Sequence, residues 1–430
     1  MSITGHTVLL LALGVGAVLW RPDGTTVGAW TLGVVLAVIL DAVLAPSPRQ
    51  LSILRKPTDP VRIDQDTTTV LQVTNNGRRR LRGVLRDAWL PSAGATRNRH
   101  RLALAGGDSV SLVTPLRPTR RGDRTADRIT VRSLGPLGLA ARQKGFDCPG
   151  TVRALPAFPS RKHLPGMLAK LQQIEGRAAV RTRGQGTEFD SLRDYVEGDD
   201  VRSIDWRATA RRRTVVVRTW RPERDRRILL VLDTSRLSAG RVGDVPRLDS
   251  AMDAALLLTA IAAKAGDHIG FVAGDRTVRA TVAKASRTDV LARVSAAMSQ
   301  LDPTLVEANW RELAAAITAQ GRKQSLLVLL TPLEPAAVSE TLLPVLANLA
   351  ARHRIVIASV ADPELSAMAD ARDDIVAVYS AAAAEVALDA RRRTANALRQ
   401  LGVAVLDEPA DALPVALADY YLALKSRGQL

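Results

Sequence analysis

The first 45 residues are almost entirely apolar and are interrupted only once. Residues 3–20 and 26–45 are hydrophobic runs close to the length of a membrane-spanning helix, and the polar stretch 21–25 separates them. The pattern predicts a helical hairpin that crosses a membrane twice. A cleaved signal peptide is the alternative for the first run, but that run lacks a basic leading segment and a small-residue cleavage site.

The charges that flank the hairpin predict its orientation. Arg49, Arg55 and Lys56 follow the second run, whereas the connecting stretch contains only Arg21. Basic residues next to membrane spans tend to remain in the cytoplasm. We therefore expect a two-pass protein of the cytoplasmic (inner) membrane whose soluble domains are cytoplasmic.

Three side chains within the apolar runs are expected to mark the membrane surface. Trp20 and Trp30 fit an interfacial aromatic belt. Asp41 lies near the inner end of the second run, where we expect it to extend to the headgroups as an end residue. A contact with a partner helix is the alternative for Asp41.

From residue 51 to residue 155 the apolar positions form short alternating runs. Residues 67–74 alternate with a period of two and end at Asn75-Asn76-Gly77, which predicts a hairpin with residues 81–87. Further strands are predicted at 109–116, 128–133 and 150–155. Regularly spaced short strands indicate a small β-sandwich, which we assign to residues 47–158.

The last two hundred residues alternate between buried-type strands and helices. Strands are predicted at 227–233, 268–273, 277–282, 325–331, 355–360 and 403–406, and helices at 248–265, 288–300, 310–319, 336–352, 380–401 and the C-terminus. This alternation predicts a doubly wound α/β domain at residues 228–430, with any ligand at the carboxyl ends of the strands. In this scheme the hairpin occupies residues 1–46, and residues 159–227 form a linker.

The net charge of +17 belongs to the middle of the chain. Residues 49–227 contain 38 lysines and arginines against 18 acidic residues, whereas the rest contains 22 against 25. Such a surplus suits nucleic acid, anionic lipid or an acidic protein. The chain has no recognisable nucleic-acid motif, so nucleic acid is not expected as a partner, and the basic sandwich is expected to face the anionic membrane surface.

Little in the sequence indicates catalysis. The single cysteine, Cys148, excludes an intramolecular disulfide, and the five histidines form no HExxH motif. Neither a nucleophile elbow nor a phosphate-binding glycine loop is present. We therefore do not expect an enzyme.

Residues 183–213 combine dense charges of both signs with three of the chain's few aromatic residues. A helix is predicted at 188–197 with Gly198 as its C-cap, followed by a turn capped by Asp199 or Asp200 and a strand at 214–217. The opposite charges, three or four residues apart, suit ion pairs along helical turns. Three interpretations remain open, namely an ion-pair network that fastens the linker, a docking surface for a protein, and a catalytic or metal-binding carboxylate cluster.

The same segment resembles the signature of the domain-of-unknown-function 58 family. The matching residues are Gly184, Gly186, Glu188, Phe189, Leu192, Arg193, Tyr195, Gly198, Asp199, Asp200, Arg202, Ile204, Asp205, Trp206, Ala210 and Arg211. Two shorter motifs, Arg120-Arg121-Gly122-Asp123 and Pro136-Leu137-Gly138-Leu139, also match; Gly122 and Gly138 are expected in turns, and Leu137 and Leu139 in the core.

The resemblance implies a membrane-anchored protein with a von Willebrand factor A-like C-terminal domain. It also implies a MoxR-type AAA+ ATPase as partner, in assembly or remodelling of a membrane or envelope complex. On this basis a set of charged and aromatic residues is expected to form or support the docking surface: Glu188, Arg193, Tyr195, Asp199, Asp200, Arg202, Asp205, Trp206 and Arg211.

Von Willebrand factor A domains often carry a metal-ion-dependent adhesion site, whose oxygen ligands suit magnesium. Its Asp-x-Ser-x-Ser motif is matched here by Asp233 and Ser235, but Leu237 replaces the last serine and Arg236 brings a competing cation. Thr331-Pro332-Leu333-Glu334 stands where a later aspartate is usual. Because the site is incomplete, no cofactor is expected, and Asp233 is expected to cap a helix or pair with Arg236.

We therefore expect a membrane-anchored cytoplasmic interaction protein. The competing function is a metal-dependent enzyme or ligand-binding domain that uses Asp233, and magnesium would be its cofactor. A nucleic-acid binder is a third class.

Overall fold

The computed structural model describes residues 2–181, 188–221, 226–283, 285–321 and 325–430. It divides the chain into two compact units, Met1–Leu155 and Pro156–Leu430. The first unit contains β1 (Ser2–Ile3), α1 (Gly5–Trp20), α2 (Gly24–Leu44), β2 (Leu51–Arg55), β3 (Val61–Arg62), β4 (Thr67–Asn75), β5 (Leu81–Trp89), β6 (Arg99–Leu104), β7 (Ser109–Leu116), β8 (Gly122–Leu134) and β9 (Ala140–Leu155).

The apolar N-terminus forms two helices of unequal length. Within the described residues, one helical segment, Gly24–Gln50, is long and apolar enough to cross a membrane. The helix α1 has 16 residues, which at 1.5 Å per residue gives about 24 Å against a hydrocarbon core of about 30 Å. By length and composition, therefore, one N-terminal helix could span a membrane, and a two-pass topology stays a prediction.

The two tryptophans of the hairpin have different environments. Trp20 is 91% exposed. The Trp30 indole N–H instead donates to the Leu10 carbonyl oxygen at 3.2 Å. Its ring lies so close to Gly14 that a Cβ there would be 2.4 Å from it. Trp30 therefore packs between the helices, where glycine leaves room for its ring, and the interfacial position expected for both tryptophans stays a prediction.

Two sheets of the first unit pack against each other, as in a β-sandwich. One sheet has the order β2-β4-β7, and the other has the order β1-β9-β8-β5-β6, with β3 beside β9. Leu71 and Val73 of the first sheet pack with Leu85, Ile129 and Val131 of the second in the same core cluster. The strands therefore alternate between inward apolar and outward polar positions.

The predicted hairpin between residues 67–74 and 81–87 is wrong. The strand β4 pairs with β2 and β7, whereas β5 pairs with β6 and β8 in the other sheet. The buried side chain of Asn75 donates to the carbonyl oxygens of Arg79, Leu104 and Ala105 at 3.0–3.2 Å. These bonds satisfy the backbone where the chain crosses between the two sheets.

The second unit is an α/β domain preceded by a small β-hairpin. It contains α3 (Leu164–Arg181), β10 (Glu188–Asp194), α4 (Trp206–Arg212), β11 (Val216–Arg221), β12 (Arg227–Asp233), β13 (Arg241–Val242), β14 (Val245–Pro246), α5 (Arg247–Lys264), β15 (His268–Gly274), β16 (Val278–Val282), α6 (Val290–Ser299), α7 (Trp310–Ala319), β17 (Leu326–Leu330), α8 (Pro335–Ala337), α9 (Leu343–Ala350), β18 (Arg354–Val360), α10 (Pro363–Asp370), α11 (Ile375–Gln400), β19 (Ala404–Glu408) and α12 (Leu413–Ser426).

The main sheet of this unit has the order β16-β15-β12-β17-β18-β19. The edge strand β16 is antiparallel, and the other strands are parallel. One core cluster contains residues of α5, α6 and α12, and a second contains residues of α7, α9 and α11. Burial on both faces explains the uninterrupted apolar strands. The chain order reverses between β12 and β17, so the carboxyl ends of these two strands form the topological switch point, where such sheets usually bind ligands.

Candidate functional site

The predicted docking segment forms a β-hairpin with helical turns inserted, which we call the signature module (residues 188–221). Its strands β10 and β11 are antiparallel, with Glu188 opposite Arg221 and Asp194 opposite Val216. The expected helix at 188–197 is wrong: its apolar spacing suits a helix, but pairing with the β-branched strand β11 prevails. Gly198 lies in a turn with φ of +105°, and Gly184 and Gly186 lie outside the described residues.

Three aspartates of the module bind backbone N–H groups. Asp199 accepts from Val196, and Asp200 accepts from Arg202, both at 3.0 Å. Asp205 caps α4 by accepting from the N–H groups of residues 207 and 208, also at 3.0 Å. Each carboxylate therefore closes a turn. Their turn-closing role argues against a carboxylate cluster for catalysis or metal.

Two ion pairs connect the strands of the module to the inserted turns. Arg193 lies 2.5 Å from Asp199, and Arg218 lies 2.8 Å from Asp205. The hydrogen bond from Arg193 lowers the pKa of Asp199, while the Ala208 N–H and then Arg218 lower the pKa of Asp205. The pairs expected along helical turns are therefore replaced by pairs that connect each strand of the hairpin to the turns inserted between the strands.

Several predicted residues remain available to solvent. Trp206 is 66% exposed and Tyr195 is 37% exposed. The Arg202 guanidinium has no partner among the described residues. Arg211 donates through Nε to the carbonyl oxygen of Arg207 at 3.3 Å. The side chain of Glu188 lies outside the described part of the molecule.

One side of the module is buried while these groups point outwards. Ala208, Val216 and Val217 are buried, whereas Val196, Val201 and Val215 are exposed. The Tyr195 N–H donates to the Val215 carbonyl oxygen at 2.8 Å, so these two exposed residues are neighbours. The module thus combines a fixed backbone with accessible aromatic, apolar and arginine side chains.

Asp233 lies at the topological switch point. One carboxylate oxygen accepts from the Ser235 N–H at 2.8 Å, and the other accepts from the Thr331 hydroxyl at 2.7 Å, which joins the ends of β12 and β17. The expected pair of Asp233 with Arg236 is wrong, because Arg236 pairs with Glu307 at 2.6 Å. Asp233 therefore stabilises its own turn and the neighbouring loop.

A second buried carboxylate, Asp275, directly follows the adjacent strand β15. It accepts from the hydroxyls of Thr234 and Thr304 at 2.8 and 2.7 Å, and Arg279 lies 3.4 Å away. Burial raises its pKa, but the two hydroxyls and Arg279 together hold the pKa below the ordinary value. The parallel register of β12 and β15 pairs Asp233 with Gly274 and so places Asp275 beside it; the signal in the sequence is the position of Asp275 directly after an apolar strand.

The oxygens at the switch point fit a magnesium ion poorly. Asp233, Thr331 and Glu307 border a cavity of ≈ 10 Å³, which is room for about one water. Magnesium usually keeps several waters. Within the described residues, no group of three or more His, Cys, Asp or Glu side chains could hold a metal ion.

Burial makes the stability contribution of Asp233 depend on pH. Burial raises the pKa of this carboxyl, and the hydrogen bonds from Thr331 and Ser235 only partly oppose this effect. A pKa raised in the folded state favours folding below the unfolded value, about 3.9, and this contribution is lost as pH rises through the folded pKa. Asp233→Asn remains neutral, so its Tm should improve relative to wild type as pH rises through that window.

Thermal unfolding of the full-length protein over a series of pH values measures this difference. Asp244→Asn is the matched control, because the Asp244 side chain is fully exposed. If the difference in Tm between wild type and Asp233→Asn is the same at every pH, the raised pKa of Asp233 is contradicted.

The comparisons with known proteins concern different parts of the chain. Residues 191–407 match the family described as "Protein of unknown function DUF58", and the chain belongs to this family. The match includes most of the signature module and the main sheet. A search of the curated proteins finds no match.

Solved structures match about a quarter of the chain. A PapD-like domain of human CEP192 is 10% identical with a TM-score of 0.20, covering 26% of this chain and 91% of that one. The CARDB domain of a Pyrococcus furiosus protein is 16% identical with a TM-score of 0.19, covering 26% and 93%. A protein of unknown function from Porphyromonas gingivalis is 16% identical with a TM-score of 0.20, covering 26% and 50%.

Proposed function

We propose that this DUF58 protein is a membrane-anchored cytoplasmic interaction protein whose signature module docks a partner. The supporting observation is the exposure of Trp206 and Arg202 on a module whose aspartates are engaged with its backbone. Tryptophan, tyrosine and arginine dominate the binding energy of many protein interfaces. The proposed partner, a MoxR-type AAA+ ATPase, comes from the family resemblance, as does the proposed role in assembly or remodelling of a membrane or envelope complex.

The proposal also assigns roles to the N-terminal helices and to the α/β domain. The N-terminal helices form a two-pass anchor with the soluble units in the cytoplasm. Of the basic residues that predict this orientation, Arg55 is already paired with buried Asp87 at 2.7 Å, so Arg49 and Lys56 support it more directly. The α/β domain is proposed to be von Willebrand factor A-like; a sheet whose strands follow the order 3-2-1-4-5-6, with an antiparallel edge strand, supports this assignment.

Partner capture from the native membrane tests the docking proposal. Full-length protein is purified in mild detergent with ATP and magnesium, and bound proteins are identified by mass spectrometry. Arg202→Ala with Trp206→Ala should reduce recovery of an AAA+ ATPase at least tenfold, since hot-spot residues contribute about 2 kcal/mol or more each. Arg352→Ala with Tyr379→Ala is the control, because both residues are exposed on the same unit outside the module. Equal recovery with both double variants would reject the docking site, and absence of any ATPase from the wild-type sample would reject the proposed partner.

A metal-dependent enzyme or ligand-binding domain is the second candidate function. Its support is the position of Asp233, Ser235 and Thr331 at the switch point. Magnesium that raised the Tm of wild type but not of Asp233→Asn would favour this candidate over the interaction protein.

A further inference from the structure

A cavity in the first unit is lined by both the N-terminus and the outer face of the larger sheet. Its volume is ≈ 480 Å³, and residues 2–5 form one side of it. Arg86, Arg99 and Arg132 line the other side. The volume is typical of a site for a small ligand or part of a larger one.

Strand register brings the arginines together on one face. Arg86 of β5 is directly opposite Arg99 of β6, and Val84 lies opposite both Arg101 and Arg132. Like charges on directly opposed residues destabilise a sheet. Such an arrangement indicates that the face meets negative charge from outside the sheet.

The sheet itself supplies almost no compensating charge. The exposed arginines of this face are Arg82, Arg86, Arg99, Arg101, Arg128 and Arg132. On the neighbouring strand β9, the one exposed acidic residue at an equivalent position is Asp147, which lies 3.8 Å from Arg128. Arg132 donates to the Gln143 side-chain oxygen at 2.8 Å. Arg86 and Arg99 have no partner among the described residues.

The cavity lies at the base of the apolar helices. The strand β1 pairs with β9 through Ser2 and Ile3, and α1 begins two residues later. The other end of the hairpin is bound to the same sheet, because Arg142 donates to the carbonyl oxygens of Ala42 and Val43 at 2.9 and 3.2 Å. If α1 and α2 enter a bilayer, the cavity is level with the lipid headgroups.

We propose that this cavity binds the phosphate headgroup of an anionic phospholipid, with Arg86 and Arg99 as its main ligands. A guanidinium binds phosphate oxygens in a bidentate manner, which suits arginine better than lysine here. The acyl chains would lie along the apolar N-terminus, where Ile3 is exposed. A free phosphate would gain no binding energy from the exposed apolar side chain of Ile3. An acidic protein would gain none from the neighbouring membrane helices. The inference rests on the proposed membrane anchor.

Native mass spectrometry of the full-length protein in detergent micelles tests the site. Phosphatidylglycerol is the probe, phosphatidylcholine is the neutral comparison, and inorganic phosphate is the competitor. Arg86→Gln with Arg99→Gln and Arg132→Gln should bind phosphatidylglycerol at least tenfold more weakly than wild type. Arg78→Gln with Arg79→Gln and Arg80→Gln removes the same charge from the loop before β5 and should bind like wild type.

Equal loss with the two triple variants would overturn the proposal, since it would show that charge alone determines binding. Displacement of the lipid by inorganic phosphate at equal concentration would also overturn it in favour of a free anion, and capture of an acidic protein in place of lipid would do so in favour of a protein interface.

Retention in the membrane after alkaline extraction is measured for every variant. Release of wild type would reject the anchor, whereas retained protein without lipid selectivity would reject only the headgroup site. If the triple variant does not fold, Arg99→Gln alone must show at least threefold weaker lipid binding.

Discussion

Replacement of Lys425 by methionine is expected to destabilise the second unit by about 3–5 kcal/mol, because it removes one partner of a buried ion pair. The ammonium nitrogen lies 3.5 Å from the Asp267 carboxylate and 3.4 Å from that of Glu175. Asp267 is buried and otherwise accepts the Tyr421 hydroxyl at 2.6 Å. Without Lys425, a buried carboxylate loses its neighbouring cation.

The cluster connects three parts of the unit. Lys425 belongs to α12, Glu175 belongs to α3, and Asp267 precedes β15. Burial lowers the pKa of Lys425, and the carboxylates of Asp267 and Glu175 oppose this effect.

Lys170→Met provides a matched control on the same two helices. Lys170 of α3 lies 2.8 Å from Asp419 of α12, but both side chains are about half exposed. Exposed pairs contribute about 0–1 kcal/mol. Loss of the Lys170–Asp419 pair should therefore destabilise the protein less than loss of the Lys425–Asp267 pair, although its nitrogen–oxygen distance is shorter.

Hydrogen exchange of the backbone amides in α3 and α12 distinguishes the two variants, since it reports local opening in a chain with two units. Faster exchange in Lys425→Met, with little change in Lys170→Met, is expected. Similar exchange in both would show that Lys425 and Asp267 form no important pair.

The strands and helices of the second unit could be predicted because the sequence pattern there is local. The strand 227–233 and the helix 310–319 have the predicted bounds. An apolar run buried on both faces has few alternatives. The helix α10 was missed because its short segment, between Pro363 and Asp370, has weak apolar periodicity.

Pairing between distant segments could not be predicted in the same way. Residues 188–197 have helical spacing, yet the partner that makes them a strand begins at Val216. The candidate site shows the same limit. Its residues were identified by type, but their roles depend on which carboxylates close turns and which arginines have partners, and only the tertiary structure determines both.

Asp41 is the clearest example of a role determined at long range. Its carboxylate is buried and accepts from the N–H groups of Leu137, Leu139 and Ala140 at 2.7–2.8 Å. The expectation that Asp41 extends to the headgroups is therefore wrong. Gly135 lies so close that a Cβ there would be 2.3 Å from the carboxylate.

The turn bound by Asp41 contains Pro136-Leu137-Gly138-Leu139, one of the two shorter motifs on which the resemblance rests. Gly138 has a φ of +69°, as expected for a turn, and Leu139 is buried, whereas Leu137 is 58% exposed and not in the core. Thr4 donates to the Gly138 carbonyl oxygen, and Thr7 donates to that of Leu139, both at 2.6 Å. The turn is thus fixed by the N-terminal segment, α1 and α2 together, which gives the motif a structural role in fastening the helices to the sheet.

We expect Asp41→Ala to destabilise the first unit by about 2–6 kcal/mol, since at least two buried N–H groups would lose their acceptor at about 1–3 kcal/mol each. Asp41→Asn should cost less because it keeps one acceptor oxygen, and Asp23→Ala is the control at the exposed start of α2. Hydrogen exchange at the amides of residues 137, 139 and 140 measures the effect in detergent-solubilised full-length protein. These three amides should be protected in wild type and exchange fastest in Asp41→Ala. If they exchange equally fast in wild type, the helices are not fastened through Asp41, and the proposed headgroup cavity has no fixed position relative to α1 and α2.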